Sequence, residues 1–594
     1  MRRTLLASLR SGPSLRSVPA PTRRFLAVLF FEAGPSLRSV PASTRRFLAA
    51  LFLVLAGCSA APVSAQAPAS APPAPKPVEL YAGMGAHRHP IRTANAEAQK
   101  FFDQGVVLLF GFNHEEAYRS FEKAAALDPA SPMPHWGMAL ALGANYNDPE
   151  PETDRLKRAR AEVEKALALS AAAADNERAY VDALARRYAA DPETADKAKL
   201  AVDYAAAMKA LSASYPDDLD AATLYAESLM NLHPWNLWTP DGQPGEDTVE
   251  IVTVLESVLK RDPNHPGANH YYIHATEASP SPERALPSAA RLATLVPSAG
   301  HLVHMPAHVY MRTGDYLGAE KANAIAAEVD RQYIRETGAN GMYPMMYYNH
   351  NVHFESAAAA MAGRHAVAKQ SAEILFDDVM PGVAGMAMLE GFLIQPTAVA
   401  LRFQQWDEIR KMPDPGPTLP LLRTAWLYAR AMAAAASGDP KKAEALRKEY
   451  AAARDALGSA MTVGPLNSAE GYFAVATNVL DARIAQAKGD RKGAIASWEK
   501  AVAAEDALHY DEPATWYYPT RESLGAALLL DGQAAEAEKV FRADLDRHPR
   551  SGRSLYGLAK ALEAQQKAAD AAWAKAQFET AWKDADTKLR LEDM

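Results

Sequence analysis

Apolar, small and turn-forming residues follow a fixed order in residues 101–129 (FFDQGVVLLFGFNHEEAYRSFEKAAALDP), which predicts two helices joined by a turn. The positions that define this order are Phe101, Gly105, Ala117, Phe121, Ala124 and Pro129. The same order and spacing return near the other end of the chain, at Leu524, Gly525, Leu528, Gly532, Ala537, Phe541 and Pro549. Weaker copies lie at 215–229, 258–275 and 311–324. Alanine is abundant and strand-favouring runs of Val, Ile and Thr are scarce, so the chain is predicted to be all-helical.

This pattern resembles the tetratricopeptide repeat, a helix–turn–helix unit of about 34 residues. The resemblance extends over about residues 100–590, with a weaker register across 150–215 and 375–465. Because one such unit cannot bury its own apolar face, successive units stack on each other. The resemblance therefore implies an all-α fold, a tetratricopeptide-like α-solenoid built from helix–turn–helix repeats.

The composition changes along the chain. With 594 residues, the chain is longer than one ordinary hydrophobic core can serve, so several domains or an elongated array of repeats are expected. A predicted signal peptide (1–57) and an Ala/Pro-rich tether (58–90) come first. N-terminal repeats (91–215), histidine-rich repeats (216–375) and C-terminal repeats (376–594) follow. The solenoid is therefore expected to begin near residue 91.

The N-terminal segment TRRFLAALFLVLAGCSA (44–60) has a basic start, an apolar stretch and then Leu55-Ala56-Gly57-Cys58. It resembles a bacterial lipoprotein signal with its lipobox. The resemblance implies cleavage before Cys58 and lipidation of that residue, which is the only cysteine of the chain. The mature protein would then be exported and lipid-anchored to a bacterial membrane, facing the periplasm. A plain signal peptide followed by a chance cysteine is the alternative.

The charge and the single cysteine exclude several classes of function. The net charge of −8 is small for a chain of this length, and no basic run lies outside the N-terminus. Nucleic acid is therefore not an expected partner. With one cysteine, a zinc finger with thiolate ligands is also excluded. The sequence contains no nucleophile elbow, phosphate-binding loop or dinucleotide-binding fingerprint.

Histidine is concentrated in one part of the chain, because seven of the 16 histidines lie between positions 270 and 353. They are His270, His274, His301, His304, His308, His350 and His353. Aligned on the repeat, they fall on matching positions of three successive first helices, and the family resemblance implies that these helices line the concave surface. Spacings of three and four residues put imidazoles on one helix face. Neighbouring helix axes pack ~8–10 Å apart, so imidazoles from adjacent repeats can converge.

Converging imidazoles favour a transition-metal site, because neutral imidazole is the most common protein ligand for zinc, copper, nickel and iron. The pairs His270/His274 and His304/His308 have the i, i+4 spacing that chelates one ion from one helix face. Paired histidine-rich helices of this kind loosely resemble those of dinuclear copper proteins. Copper is the favoured ion, with zinc or iron as alternatives.

A proline interrupts the second of these pairs. Pro306 lies between His304 and His308 and has no N–H, so it predicts a helix break at this point. If a helix begins at Pro306, His301 and His304 lie on the preceding turn. The i, i+4 geometry is then not guaranteed, although both side chains can still point into the groove.

Carboxylates and further histidines supply other candidate site residues. Glu277 and Glu227 occupy groove-facing positions of the repeat and are candidate metal ligands or proton carriers. His87 and His89 precede the first repeat and are interpreted as part of an ordinary loop, with a role as extra ligands as the alternative. The remaining histidines are expected on the surface or satisfied in the core: His114, His135, His233, His265, His365, His509 and His548.

Two aromatic segments are candidates for contact with a substrate. The loop 231–247 contains Trp235 and Trp238 and is interpreted either as a lid over the groove or as packing against the solenoid. Tyr510 and Arg521 belong to a second aromatic segment, which suits a polar or peptide ligand. Packing at a repeat junction is the favoured alternative for that second segment.

Three functions are consistent with these features. The first is an exported solenoid with a histidine-lined metal site that acts as an enzyme, oxidative with copper or hydrolytic with zinc. The second is a scaffold without enzymatic activity that binds peptides or proteins in its concave groove. Metal storage or delivery is the third. A groove of unliganded imidazoles that repel one another on protonation is the main alternative to metal binding.

Overall fold

The computed structural model describes residues 76–464 and 466–594, so the predicted signal peptide and Cys58 lie outside the described residues. Within these ranges the chain forms helices and one antiparallel hairpin of two short strands, β1 (Thr462–Val463) and β2 (Asn467–Ser468). None of the described helices is long and apolar enough to cross a membrane.

The α-helices follow one another with short connections. The first group is α1 (Ala96–Phe110), α2 (His114–Leu127), α3 (Met133–Leu142), α4 (Thr153–Leu169), α5 (Asp175–Ala185), α6 (Lys197–Ser214), α7 (Leu219–Met230) and α8 (Thr248–Arg261). The second is α9 (Pro266–Glu277), α10 (Leu286–Leu295), α11 (Gly300–His304), α12 (Pro306–Thr313), α13 (Tyr316–Thr337), α14 (Asn349–Met361) and α15 (His365–Val379). The third is α16 (Gln395–Arg402), α17 (Trp406–Lys411), α18 (Pro420–Ala436), α19 (Pro440–Asp455), α20 (Ala469–Ala487), α21 (Arg491–Asp506), α22 (Thr520–Leu530), α23 (Ala534–Arg547), α24 (Gly552–Ala564) and α25 (Ala568–Ala581).

Shorter helical turns join some of these elements. The 3-10 turns are Ser170–Ala172, Pro282–Ala285, Met380–Gly382, Ala387–Ile394 and Leu591–Asp593, and a π-helix spans Tyr343–Tyr348. The π-helix leads directly into α14. It lies in the long connection after α13, where the sequence spacing between the histidine-rich repeats is extended.

Consecutive helices pack against each other as helix–turn–helix units along the described chain. Where neighbouring helices pack together, the small residues of the repeat contact its aromatic residues. Gly105 and Gly137 both lie against the ring of Phe121, where an added Cβ would stand 2.5 and 2.7 Å from ring carbons. Gly525 and Gly557 lie against Phe541 in the same way. The predicted all-α, tetratricopeptide-like α-solenoid is confirmed.

Substitution of Gly525 by alanine is expected to destabilise the C-terminal repeats. The new Cβ would lie 2.6 Å from the ring of Phe541, so the helices must separate. Overpacking of this kind costs about 1–3 kcal/mol, which a lower thermal unfolding midpoint would report. Gly458→Ala is the matched control, because no atom lies within 4 Å of its added Cβ. Equal midpoints for the two variants would contradict the proposed contact.

Residues from both ends of the solenoid cover the histidine-rich repeats. Gly267 of α9 lies against the ring of Phe110 in α1, and a Cβ added to Gly267 would stand 2.6 Å from that ring. Gly314, which follows α12 with φ +80°, is in similarly close contact with the carbonyl oxygen of Pro549. The helices that carry the histidines are therefore packed inside the protein and do not line an open groove.

The segment before α1 also packs on the solenoid. The Tyr81 N–H donates to Gln104 Oε1 (2.8 Å), and its hydroxyl donates to Glu116 Oε1 (2.5 Å). His89 Nδ1 lies 2.6 Å from Asp220 Oδ2. Tyr81 and His89, which lie in the segment assigned to the tether (58–90), are therefore held against the solenoid by specific contacts.

Candidate metal centre

Four helices position the histidines predicted from the sequence. α9 begins at Pro266 and carries His270 and His274. α11 carries His301 and ends at His304. After Met305, α12 starts at Pro306 and carries His308. The predicted helix break at Pro306 is thus confirmed. α14 carries His350 and His353.

Six of the seven histidines converge into two groups of three. The first trio is His270, His274 and His301, and the second trio is His304, His308 and His350. In each trio one ring nitrogen from every member lies within 4.8 Å of the other two. The trios are adjacent, since the ring centroids of His274 and His308 are 5.4 Å apart.

The Nε2 atoms approach one another within each trio. His270 Nε2 lies 3.1 Å from His301 Nε2 in the first. In the second, His304 Nε2 lies 2.6 Å from His308 Nε2 and 3.2 Å from His350 Nε2. Five of the six side chains are buried, with at most 2% exposure, and His350 is partly exposed.

The Nδ1 atoms of four of these histidines donate to fixed acceptors. His270 Nδ1 donates to the Phe110 carbonyl oxygen (2.6 Å) and His304 Nδ1 donates to Asn323 Oδ1 (2.6 Å). Asn323 Nδ2 donates to the Ala319 carbonyl oxygen (2.8 Å), which fixes Oδ1 as the acceptor. Metal-binding histidines have this arrangement, because an N–H donated outward leaves the other ring nitrogen with its lone pair for the ion.

Glu277 joins the two trios through its carboxylate. His274 Nδ1 donates to Glu277 Oε1 (2.8 Å), and His308 Nδ1 donates to Glu277 Oε2. Glu277 is 1% exposed. Burial opposes its charge, but nearby His308 and His274 outweigh that effect and lower its pKa to about 2. Both oxygens are engaged by imidazole N–H groups, so Glu277 orients histidines from both trios.

In the second trio, the protons on the Nδ1 atoms determine what the facing Nε2 atoms can bind. With Nδ1 protonated, neutral His304 presents an Nε2 lone pair to His308 Nε2 across 2.6 Å, and His308 presents a second lone pair whenever it is neutral. Two lone pairs repel at that distance, so either His308 Nε2 carries a proton that it donates to His304 Nε2, or a metal ion bound to both nitrogens takes the place of that proton. In the first trio, the buried His274 Nε2 has no hydrogen-bond partner among residues 76–464 and 466–594.

Burial keeps most of these imidazoles neutral. It is the largest cause that lowers the pKa of His270, His301, His304 and His350 well below 6.5, and neighbouring histidines lower it further. His308 differs, because the carboxylate of Glu277 outweighs burial and raises its pKa. Burial also lowers the pKa of His274. Neutral imidazole is the form that binds metal ions, so five of the six are held in that form at neutral pH.

Several side chains predicted for the site have other partners. His353 lies outside both trios, with Nε2 3.3 Å from Gln395 Oε1. Glu227 is buried and accepts from the amide of Asn231, and burial raises its pKa. Arg521 forms a two-point ion pair with Asp506 at 2.7 and 2.6 Å. These residues were assigned from their positions in the repeat and along the chain, which do not determine how each side chain is oriented.

The two tryptophans that the sequence suggested for contact with a substrate make different contacts in the structure. The Trp235 ring stands edge-on to His274, with centroids 5.7 Å apart, and stacks on Tyr146 at 5.1 Å. Trp238 Nε1 donates to the Ala275 carbonyl oxygen (2.8 Å). Trp235 therefore covers the first trio, while Trp238 attaches the loop to α9.

Tyr510 lies beside the second trio. Its hydroxyl donates to Glu512 Oε1, and the guanidinium of Arg312 stands 5.5 Å from the centre of its ring. Burial raises the pKa of Glu512 to about 7, and the nearby charges of His308 and Glu277 also affect it. The C-terminal repeats thus supply part of the wall around the histidines.

Aromatic side chains that the sequence did not indicate complete the enclosure. Phe112 lies 4.5 Å from His270 and 5.4 Å from His301 between ring centroids. Phe354 lies 5.1 Å from His304. The i, i+4 spacing of Phe354 from His350 could have indicated its face, whereas Phe112 comes from a turn distant in sequence and has no local signal.

A third group of histidines surrounds Asp220 and is separate from the trios. His89 Nδ1, His265 Nε2 and His87 Nε2 lie 2.6, 2.9 and 3.1 Å from its carboxylate oxygens. His265 Nδ1 caps α9 by accepting from the Ala268 N–H (3.1 Å), so its Nε2 carries the proton. His89 and His265 therefore hydrogen-bond Asp220, whereas His87 Nε2 lies near it without a hydrogen bond. His265 is buried with both ring nitrogens bonded, as expected of a core residue.

No protein-family profile and no curated protein match the chain. Solved structures with similar folds include a human IFIT1 dimer with m7Gppp-AAAA, at 14% identity over 83% of this chain and 92% of that one, with a TM-score of 0.28. Yeast Tom70 is 11% identical over 80% and 96% of the two chains, with a TM-score of 0.30. The P58(IPK) TPR domain is 11% identical over 80% and 99%, with a TM-score of 0.19. Similarity at this level concerns the helical-repeat fold alone.

Proposed function

We propose that the histidine-rich repeats hold two transition-metal ions, one bound by the Nε2 atoms of each trio. The observation that carries this proposal is the pair of Nε2 atoms of His304 and His308, 2.6 Å apart with both Nδ1 atoms engaged elsewhere. A metal ion bound to both nitrogens, in place of a shared proton, removes the repulsion of the lone pairs. The outward hydrogen bonds of the Nδ1 atoms are those that orient metal-binding histidines.

The donor atoms favour copper. Each trio offers only imidazole nitrogens, neither trio contains a cysteine, and the carboxylate of Glu277 is already bound by two N–H groups. Such a set suits copper or zinc, and iron generally takes carboxylate ligands as well. We therefore propose copper as the resident ion, with zinc or iron as alternatives.

We propose that the centre is enzymatic, as a metal-dependent oxidoreductase if the ion is copper and as a hydrolase if it is zinc. The residues of this chain support such a role by shielding the trios from bulk water, since aromatic rings lie against both of them. His350 and Trp235 are partly exposed and mark where a substrate could approach. Metal storage or delivery would need the same ligands but no approach for a substrate.

Metal analysis of the purified full chain tests the proposal. After exposure to copper, zinc or iron and removal of loosely bound ions, about two equivalents of one metal are expected per chain. The same assay on the chain with metal withheld gives the baseline. Retention of none of the three ions would refute the metal centre.

A scaffold that binds peptides or proteins is the second candidate function, and the repeat fold favours it. The aromatic segment at Tyr510 and the partly exposed Trp235 would then contact a partner chain. This function needs no metal, so absence of metal together with peptide binding would support it. For either function, we propose that Cys58 attaches the exported protein to a bacterial membrane through a lipid.

A further inference from the structure

Three arginines line one small cavity in the C-terminal repeats. Arg402 ends α16, Arg483 lies in α20 and Arg553 lies near the start of α24. The cavity has a free volume of about 20 Å³, and its other walls include Tyr517 and Tyr518. None of these arginines belongs to the histidine trios or to the proposed metal function.

Positive charge exceeds negative charge around this cavity. Arg402 forms a two-point ion pair with Glu522, at 2.5 and 3.1 Å. Arg553 Nη2 donates only to a neutral acceptor, the Arg402 carbonyl oxygen (2.9 Å). Arg483 donates to Gln486 Oε1 (3.2 Å) and to the main-chain oxygen of Met594 (2.7 Å).

One further carboxylate lines the cavity but is directed towards solvent. The side chain of Asp593 is 42% exposed, and its carboxylate lies 3.7 Å from Arg590 on the surface. Glu522 is therefore the buried side-chain carboxylate beside Arg402 and Arg553, and the main-chain carboxylate of Met594 faces Arg483, which leaves one of the three positive charges without a counter-charge. Burial, followed by the nearby charge of Arg402, lowers the pKa of Arg553 to about 9, so Arg553 is still charged at neutral pH.

The guanidinium groups also have unused hydrogen-bond donors. In the described part of the chain, the Nε–H of Arg402, Arg483 and Arg553 has no hydrogen-bond partner. Arg402 and Arg553 are only 4% and 6% exposed, so bulk water does not satisfy these donors. Buried donors without partners are rare and costly, and the three arginines that carry them line the same cavity.

We propose that this cavity binds one small anion of the size of chloride, held by the Nε–H groups of Arg402, Arg483 and Arg553. A free volume of about 20 Å³ admits one atom or molecule of roughly the size of water. It is too small for phosphate or sulfate. A water molecule accepts two hydrogen bonds and carries no charge, whereas a halide accepts three and offsets the excess positive charge.

Bromide, which scatters anomalously, locates the ion directly. Crystals of the full chain transferred to sodium bromide are expected to show one anomalous peak inside the cavity. The peak should be absent from Arg553→Met crystals. A cavity that is empty or holds only water in wild-type crystals at high bromide would overturn the proposal.

Thermal unfolding gives a second test in solution. When sodium chloride replaces sodium gluconate at constant ionic strength, the unfolding midpoint of the wild-type chain is expected to rise by a few degrees and then saturate. Arg553→Met should lose this rise, and Arg483→Met serves if the first variant does not fold. Arg423→Met, which removes a surface arginine paired with Asp414, should keep it. Equal chloride responses in all variants would contradict the site.

Discussion

The double variant His274→Ala/His308→Ala is expected to lose tight binding of both metal ions. Each substitution removes one of three imidazoles from a trio, and it also removes a partner of Glu277. Loss of residues that merely orient ligands lowers metal affinity about 10–100-fold, so loss of a ligand should lower it by at least that factor. Metal analysis after dialysis, with isothermal titration for the affinities, measures the effect.

His353→Ala is the matched control for this variant. It removes the same type of side chain from the same repeats, but His353 lies outside both trios. It should retain about two equivalents of metal. If the control loses as much metal as the double variant, the assignment of ligands to the two trios is wrong.

Single substitutions separate two independent ions from one shared ion. His270→Ala disturbs only the first trio and His350→Ala only the second. Each should retain about one equivalent of metal with little change in its affinity. Loss of all metal in either variant would show that the six histidines act as one site.

Glu277→Gln is expected to destabilise the metal-free protein and to weaken metal binding in both trios. The wild-type carboxylate accepts from His274 Nδ1 and His308 Nδ1, whereas a glutamine amide offers one acceptor and one donor. One imidazole must then turn or move its proton to Nε2, where it blocks metal binding. Removal of one member of a buried charged network costs about 3–5 kcal/mol, and urea unfolding at pH 7 measures it.

The pH dependence identifies the cause of this destabilisation. The pKa of Glu277 is lowered to about 2 in the folded protein, so its contribution to stability is present above its usual pKa and is lost as pH falls towards 2. The gap in unfolding free energy between wild type and Glu277→Gln should therefore shrink below about pH 4.5. A gap that stays constant from pH 7 to pH 3 would contradict the role of the carboxylate.

Glu512→Gln provides the control for Glu277. Glu512 is also buried beside the second trio, but its pKa is raised to about 7 by burial. At pH 6 the carboxyl group of Glu512 is mostly neutral, so its replacement by the amide of glutamine changes the charge little. Its unfolding free energy at pH 6 should stay close to that of the wild type.

The sequence alone was sufficient to predict the local features of this protein. The repeat spacing predicted the helix pairs, and the repeat positions that it marked, Gly105 and Gly525, lie against Phe121 and Phe541 in the structure. Pro306 predicted the break between α11 and α12, because proline lacks the N–H that a continuous helix requires. Such features depend on residues close in sequence, whose spacing determines which face of a helix they share.

The tertiary structure decided how the histidines combine and what surrounds them. His304 pairs with His308 across the helix break, while His301 turns towards His270 of another repeat. Phe110 of α1 supplies the carbonyl acceptor for His270, although 160 residues separate them. These contacts depend on how far each helix rotates about its axis and on how the solenoid brings its two ends onto the histidine-rich repeats. Both result from packing summed over the whole chain, which the repeat period alone does not determine.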